Sequence, residues 1–103
     1  MTQMIEERRS EIEALCRRYG VRRLAVFGSG ARDDFDPDKS DLDFLVEFNP
    51  SSPREHKEAF FELMESLKQL FSRQVDLVEL VAVRNPFVKS HIEQELETVY
   101  DAA

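Results

Sequence analysis

Residues 41–48, Asp-Leu-Asp-Phe-Leu-Val-Glu-Phe, alternate with a period of two, the pattern of a β-strand with two chemically different faces. Leu42, Phe44, Val46 and Phe48 fall on one face; Asp41, Asp43, Leu45 and Glu47 fall on the other. The first face belongs against a core, and the second is left free for chemistry. The chain must therefore build a sheet that is covered on at least one side.

The flanking segments supply the cover. Ile5, Ile12, Leu15, Cys16 and Tyr19 recur at helical spacing, which predicts a helix over about 3–19, with Thr2 as a cap and Gly20 at its C-terminal end. Residues 22–28, Arg-Arg-Leu-Ala-Val-Phe-Gly, read as a first strand. Residues 29–40 are rich in Gly, Asp, Ser and Pro and read as a loop, with a helical turn near Ala31 and Arg32. After the loop 49–53, Ser52-Pro53-Arg54-Glu55 has the form of a capping box with proline at the first helical position. The helix it opens runs to about Phe71, with Phe60, Leu63, Met64, Leu67, Leu70 and Phe71 as its apolar stripe. Residues 74–81 predict a third strand. Asn85-Pro86 starts a last helix carrying Val88, Ile92, Leu96, Val99 and Tyr100 on one side. The expected fold is α+β: a small mixed sheet of about three strands flanked by helices, in the order α-β-(α)-β-α-β-α.

A chain of 103 residues fits one compact domain, 1–103. Its net charge of −7 and pI of about 4.8 argue against a nucleic-acid partner, because such binders gain affinity from a basic face that neutralises phosphates. The start is charged and has no apolar stretch of signal-peptide type, and no run of apolar residues is long enough to span a membrane. Cys16 is the one cysteine, so no internal disulfide forms. These features together suit a cytoplasmic protein.

Three features carry chemistry. Gly28-Ser29 ends the first strand, where backbone N–H groups and a hydroxyl suit phosphate oxygens; a plain turn is the simpler reading of the dipeptide taken alone. Asp41-Leu42-Asp43 puts two carboxylates on one strand face with Cα atoms about 6.5–7 Å apart, a spacing that lets both reach hard cations. Aspartate is depleted in strands, and two on one face repel, so a cation explains them better than solvent does. Asp76 lies among Val75, Leu77 and Val78 and joins the pair if its strand neighbours theirs; otherwise it is a strand-end residue facing water. Phosphoryl transfer uses such a set, because two metal ions stabilise both the attacking and the leaving oxygen. In that chemistry Asp41 and Asp43 bridge the metals, Asp76 holds the metal on the acceptor side, Ser29 holds phosphate, and Arg32 or Lys39 offsets its charge.

Phe27-Gly28-Ser29-Gly30-Ala31-Arg32, then Ser40-Asp41-Leu42-Asp43-Phe44-Leu45-Val46, then Val75-Asp76-Leu77-Val78 resemble the motifs of the polymerase-beta-like nucleotidyltransferases. Within them the chain looks most like the minimal nucleotidyltransferases, often the antitoxin half of HEPN–MNT toxin–antitoxin pairs. The resemblance implies two Mg²⁺ ions and an NTP donor such as ATP. It puts nucleotide binding on Gly28, Ser29, Arg32 and Ser40, and the catalytic, metal-holding triad on Asp41, Asp43 and Asp76. It also implies transfer of AMP to a tyrosine of a HEPN-type toxin. Antibiotic-modifying relatives carry a further helical domain for their acceptor; without one, the acceptor surface is expected from a partner protein or a second copy of the chain. Asp33 stands where the family commonly has glycine, in a loop that also carries Asp34, Asp36 and Asp38. Two other readings stay open: a binding module that neutralises its partner by occlusion, and a transferase acting on a small molecule.

Overall fold

The computed structural model describes residues 2–28, 31 and 41–102. Helix α1 (Gln3–Glu7) and helix α2 (Arg9–Arg18) lead into strand β1 (Val21–Phe27). Strand β2 (Leu42–Phe48), helix α3 (Pro53–Phe71) and strand β3 (Val75–Val78) follow. A 3-10 turn at Leu80–Ala82, helix α4 (Pro86–Glu95) and strand β4 (Glu97–Asp101) complete the chain.

The sheet has the order β3-β2-β1-β4. β1 is antiparallel to β2 and to β4, whereas β2 and β3 are parallel, joined by α3 as the crossover that parallel neighbours require. The sheet is therefore mixed, as expected, but it has four strands. The expected last helix is corrected: it stops at Glu95, and the segment carrying Val99 and Tyr100 is a strand. Leu96 is extended (φ −65, ψ 132), and Thr98-Val99-Tyr100 then pairs with the otherwise bare side of β1. Those three residue types favour a pleated, half-buried surface, and pairing satisfies backbone groups that an unpaired β1 would leave without partners.

The expected first helix is also broken, at Arg8 (φ −107, ψ 12). The break coincides with a tertiary contact: the Arg9 guanidinium reaches 2.8 Å from the Val99 carbonyl of β4 and 3.1 Å from Glu6. Thr2 precedes α1 without a capping bond from its side chain. α3 starts as its sequence requires, with Ser52 Oγ accepting the Glu55 N–H at 3.2 Å and Pro53 in the first turn. It ends at Ser72 in the left-handed region (φ 51). Gly20 likewise takes φ +68 between α2 and β1, the conformation that glycine adopts without a Cβ penalty.

One core lies on the face covered by α1, α2 and α3. Ile5, Ile12, Cys16, Leu63, Leu67 and Phe71 pack there with Leu24, Val26, Leu42, Phe44, Val46, Val75 and Leu77 of the sheet. Phe44 and Phe71 stack at 6.2 Å between ring centroids. The opposite face is not wholly open. Ala25 and Leu45 face each other across β1 and β2 and are both fully buried, as Ile92 of α4 nearly is, outside the main core. α4 covers this part of the sheet, so Leu45, assigned by alternation to the free face, is a core residue of a second, thinner layer. Of the expected 29–40 loop, only Ala31 lies among the described residues; its N–H donates to the Gly28 carbonyl at 3.1 Å.

Candidate active site

The second sheet face is a ladder of matched positions. Arg23 lies opposite Glu47, Ala25 opposite Leu45, and Phe27 opposite Asp43. On the other side of β2, Asp43 lies opposite Asp76 and Leu45 opposite Val78. Partners in register share a face. Val75 and Leu77 are buried in the main core, so Asp76 between them is directed to the α4 face, where it is exposed. Asp43 is half-buried there. Neighbouring strands run about 4.8 Å apart, which puts these two acidic side chains directly side by side. Asp41 is exposed and immediately precedes β2, on the same face by the alternation of the strand. The strand is anchored at this point by the Leu42 N–H, which donates to the Gln74 carbonyl at 3.3 Å.

The register thus brings Asp43 and Asp76 together and sets Asp41 at the mouth of the strand. Among the described residues, no group of three His, Cys, Asp or Glu side chains is gathered closely enough to hold a metal ion as a set. The direct pair is Asp43 with Asp76. Ser29, Arg32, Lys39 and Ser40 lie outside the described residues.

Gly28 follows β1 and takes φ +68. A Cβ placed on it would lie 2.7 Å from Asp43 Oδ2, so the carboxylate rests where any other residue would put a methyl group. The Gly28 N–H donates to Glu95 Oε2 at 3.2 Å. Glu95 is a contact that the sequence reading missed. It lies 67 positions away on the last turn of α4, and nothing in local spacing links it to the turn.

The donor set fits a divalent ion of the Mg²⁺ type. Carboxylate oxygens are hard ligands, and one or two of them plus substrate phosphates make a common Mg²⁺ shell. By contrast, a surface cavity of about 330 Å³ at the other end of β2 is lined by Glu55, Glu58 and Glu62 as well as Arg18 and Tyr19. Three acids around it make a poor receptor for a triphosphate.

The site thus consists of a mixed sheet covered by helices, with two aspartates abreast on parallel strands beside a glycine turn. The chain belongs to the nucleotidyltransferase domain family, whose model matches residues 9–99. A Methanocaldococcus jannaschii protein, provisionally named a protein adenylyltransferase, is 42% identical over 88 residues, covering 85% of this chain and 86% of that one. A solved structure provisionally described as a minimal nucleotidyltransferase is 30% identical, with a TM-score of 0.66 and 89% of each chain covered. The fold also matches a chain of the structure of a tri-AMPylated Shewanella oneidensis HEPN toxin in complex with MNT antitoxin. That match has a TM-score of 0.65 at 18% identity, over 95% of this chain and 73% of that one.

Proposed function

We propose that this protein transfers AMP from ATP to a hydroxyl of a partner protein, and that the acceptor is a tyrosine of a HEPN-type toxin, which the transfer silences. The observation that carries the reading is the side-by-side register of Asp43 and Asp76 next to Gly28. The relative named as a protein adenylyltransferase supports the protein acceptor, and the fold match to the AMPylated toxin complex supports the kind of partner. Among the described residues no helix is long and apolar enough to cross a membrane, and the proposal puts the protein in the cytoplasm with its ATP.

In this reading Asp41, Asp43 and Asp76 would hold the Mg²⁺ ions, with Asp76 nearest the acceptor. Bound Mg²⁺ supplies charge stabilisation at the phosphoryl oxygens and lowers the pKa of a coordinated hydroxyl. Asp76, the more exposed of the abreast pair, is placed to accept the proton of the incoming hydroxyl. The acceptor oxygen forms the new bond to the α-phosphorus, the bond to the bridging oxygen breaks, and pyrophosphate leaves in line. The proposal gives Gly28, Ser29 and Ser40 the phosphates to bind, and Arg32 the charge to offset.

The test is to incubate the protein with Mg²⁺, ATP labelled at the α-phosphate, and the product of the adjacent reading frame. The expected result is label on a tyrosine of that partner, lost in Asp43→Asn by at least about 100-fold, the scale of removing a group that stabilises transition-state charge. Undiminished neutralisation by Asp43→Asn would instead identify a module acting by occlusion. Label on metabolites in the absence of a partner would identify a small-molecule transferase.

A further inference from the structure

The Glu95 contact is costly where it stands. Glu95 ends α4, where the unsatisfied carbonyls make the helix terminus partially negative and favour a cation. The last turn of α4 contains no basic residue; His91, one turn earlier, lies 3.5 Å from Glu95 Oε1 and is largely exposed. Glu95 also lies at the end of the sheet that carries Asp41, Asp43 and Asp76. A residue selected only to finish this helix would be lysine, arginine or glutamine.

The position of Glu95 is nevertheless tightly set. Ile92, three residues earlier and one helical turn away, is buried on the sheet. Glu97, two residues later, enters β4 opposite Val26 of β1. Held at both ends, the Glu95 side chain is about four-fifths buried (19% exposed) and is aimed at the end of β1. There it meets the Gly28 N–H at 3.2 Å. Gly28 is thereby fixed from two directions: Glu95 on its N–H, and Asp43 Oδ2 against the face of its Cα. A left-handed glycine has wide conformational freedom, and a backbone N–H that donates to a carboxylate makes a bond of the strong, charge-assisted kind. The bond restrains that freedom at a residue whose Cα abuts Asp43.

We propose that Glu95 is a positioning residue for the transfer reaction, acting through the Gly28 turn to keep the Asp43 carboxylate in place. The role rests on the proposed nucleotidyl transfer. It requires the acceptor oxygen that Glu95 presents to Gly28. Glutamine at the same position keeps a carbonyl oxygen of the same reach, and alanine removes it.

The experiment compares wild type, Glu95→Ala and Glu95→Gln in the full chain by two readouts. The first is the exchange rate of the Gly28 amide hydrogen, followed by NMR without nucleotide or metal. The second is kcat, KM for ATP and the Mg²⁺ concentration giving half-maximal activity, measured with the partner at a temperature where circular dichroism shows each variant folded. Glu95→Ala is expected to speed Gly28 exchange at least about tenfold. It should also lower kcat or raise the Mg²⁺ requirement roughly 10- to 100-fold, the range seen when a residue that orients a metal ligand is removed. Glu95→Gln is expected to restore both readouts to within a few-fold of wild type. Unchanged Gly28 exchange in Glu95→Ala, full activity in that variant, or a Gln variant as impaired as the Ala variant would each overturn the proposal. An active wild type with an unaffected Glu95→Ala sinks this role alone. An inactive wild type sinks the transfer reading with it, while the exchange data still report whether the Glu95–Gly28 bond holds the turn.

Discussion

Asp43 and Asp76 lie abreast on parallel strands, and like charges placed directly opposite destabilise a sheet by roughly 0.2–1 kcal/mol. Taken by itself this pairing costs the fold, and a bound cation would offset that cost. Asp76→Asn is expected to raise thermal stability slightly in metal-free buffer while abolishing transfer. Melting curves and the labelling assay on one preparation check the two opposite signs; a destabilised variant would mean that Asp76 is structural. Cys16 behaves in the contrary way. It is fully buried, and burial first, then the Glu13 carboxylate, push its thiol up from 9.0 to about 12, against the lowering effect of Arg17. The folded state therefore holds this proton more tightly than the unfolded state does. The stability linked to it is complete below about pH 9 and is lost as pH rises towards 12, with a slope of up to about 1.4 kcal/mol per pH unit. Denaturant titrations between pH 8 and 11 should show this decline in wild type and a shallower one in Cys16→Ala. The legibility of these residues differs: the pair at 41 and 43 is visible from strand periodicity, whereas the contact of Glu95 with Gly28 spans 67 positions and leaves no local trace.

α3 is the element that the sequence specifies most fully. Its first turn has Ser52 as cap and Pro53 in place, and Leu63, Leu67 and Phe71 follow at helical spacing to the core. Ser52→Ala removes the acceptor for the Glu55 N–H and is expected to cost about 1 kcal/mol, read as a lower urea midpoint with an unchanged slope. α4 and β4 show the converse. Val88, Ile92, Leu96 and Val99 fit a continuous helical stripe, yet the chain leaves the helix after Glu95. Helical and extended states of a segment this short are close in intrinsic energy, and the free side of β1 decides between them by offering backbone partners. The Arg9 guanidinium then seals the Val99 carbonyl, a contact that only the assembled sheet creates. The expected strand at 74–81 is likewise shortened to Val75–Val78 and followed by a 3-10 turn, although β2 runs on to Phe48.

At the scale of the molecule, the sheet is a partition with unequal layers. Three helices and a large core lie on one side; α4 and the small group of Ala25, Leu45 and Ile92 lie on the other. The thin layer fixes α4 on the sheet beside the acidic end of β2 and β3. Leu45→Ala, at a fully buried position, is expected to cost about 2–5 kcal/mol. That is as much as a main-core truncation and far more than an exposed-face reading of Leu45 allows; equilibrium unfolding checks it. The same truncation loosens α4 and with it Glu95, so transfer should weaken under conditions where the variant is still folded.

By itself, the sequence determined which segments are extended or helical wherever periodicity and caps act over a few residues. It fixed the two-faced character of 41–48, the α3 helix with its Ser52 cap, and the left-handed glycine at position 20. It also marked the aspartates at 41, 43 and 76 as the chemical candidates. Only the tertiary structure decided the fourth strand, the break at Arg8, the burial of Leu45, and the approach of Glu95 to Gly28. Each of these depends on which backbone edge or helix face is brought alongside. That is a property of long-range pairing, whose energy is returned only after the chain has closed on itself.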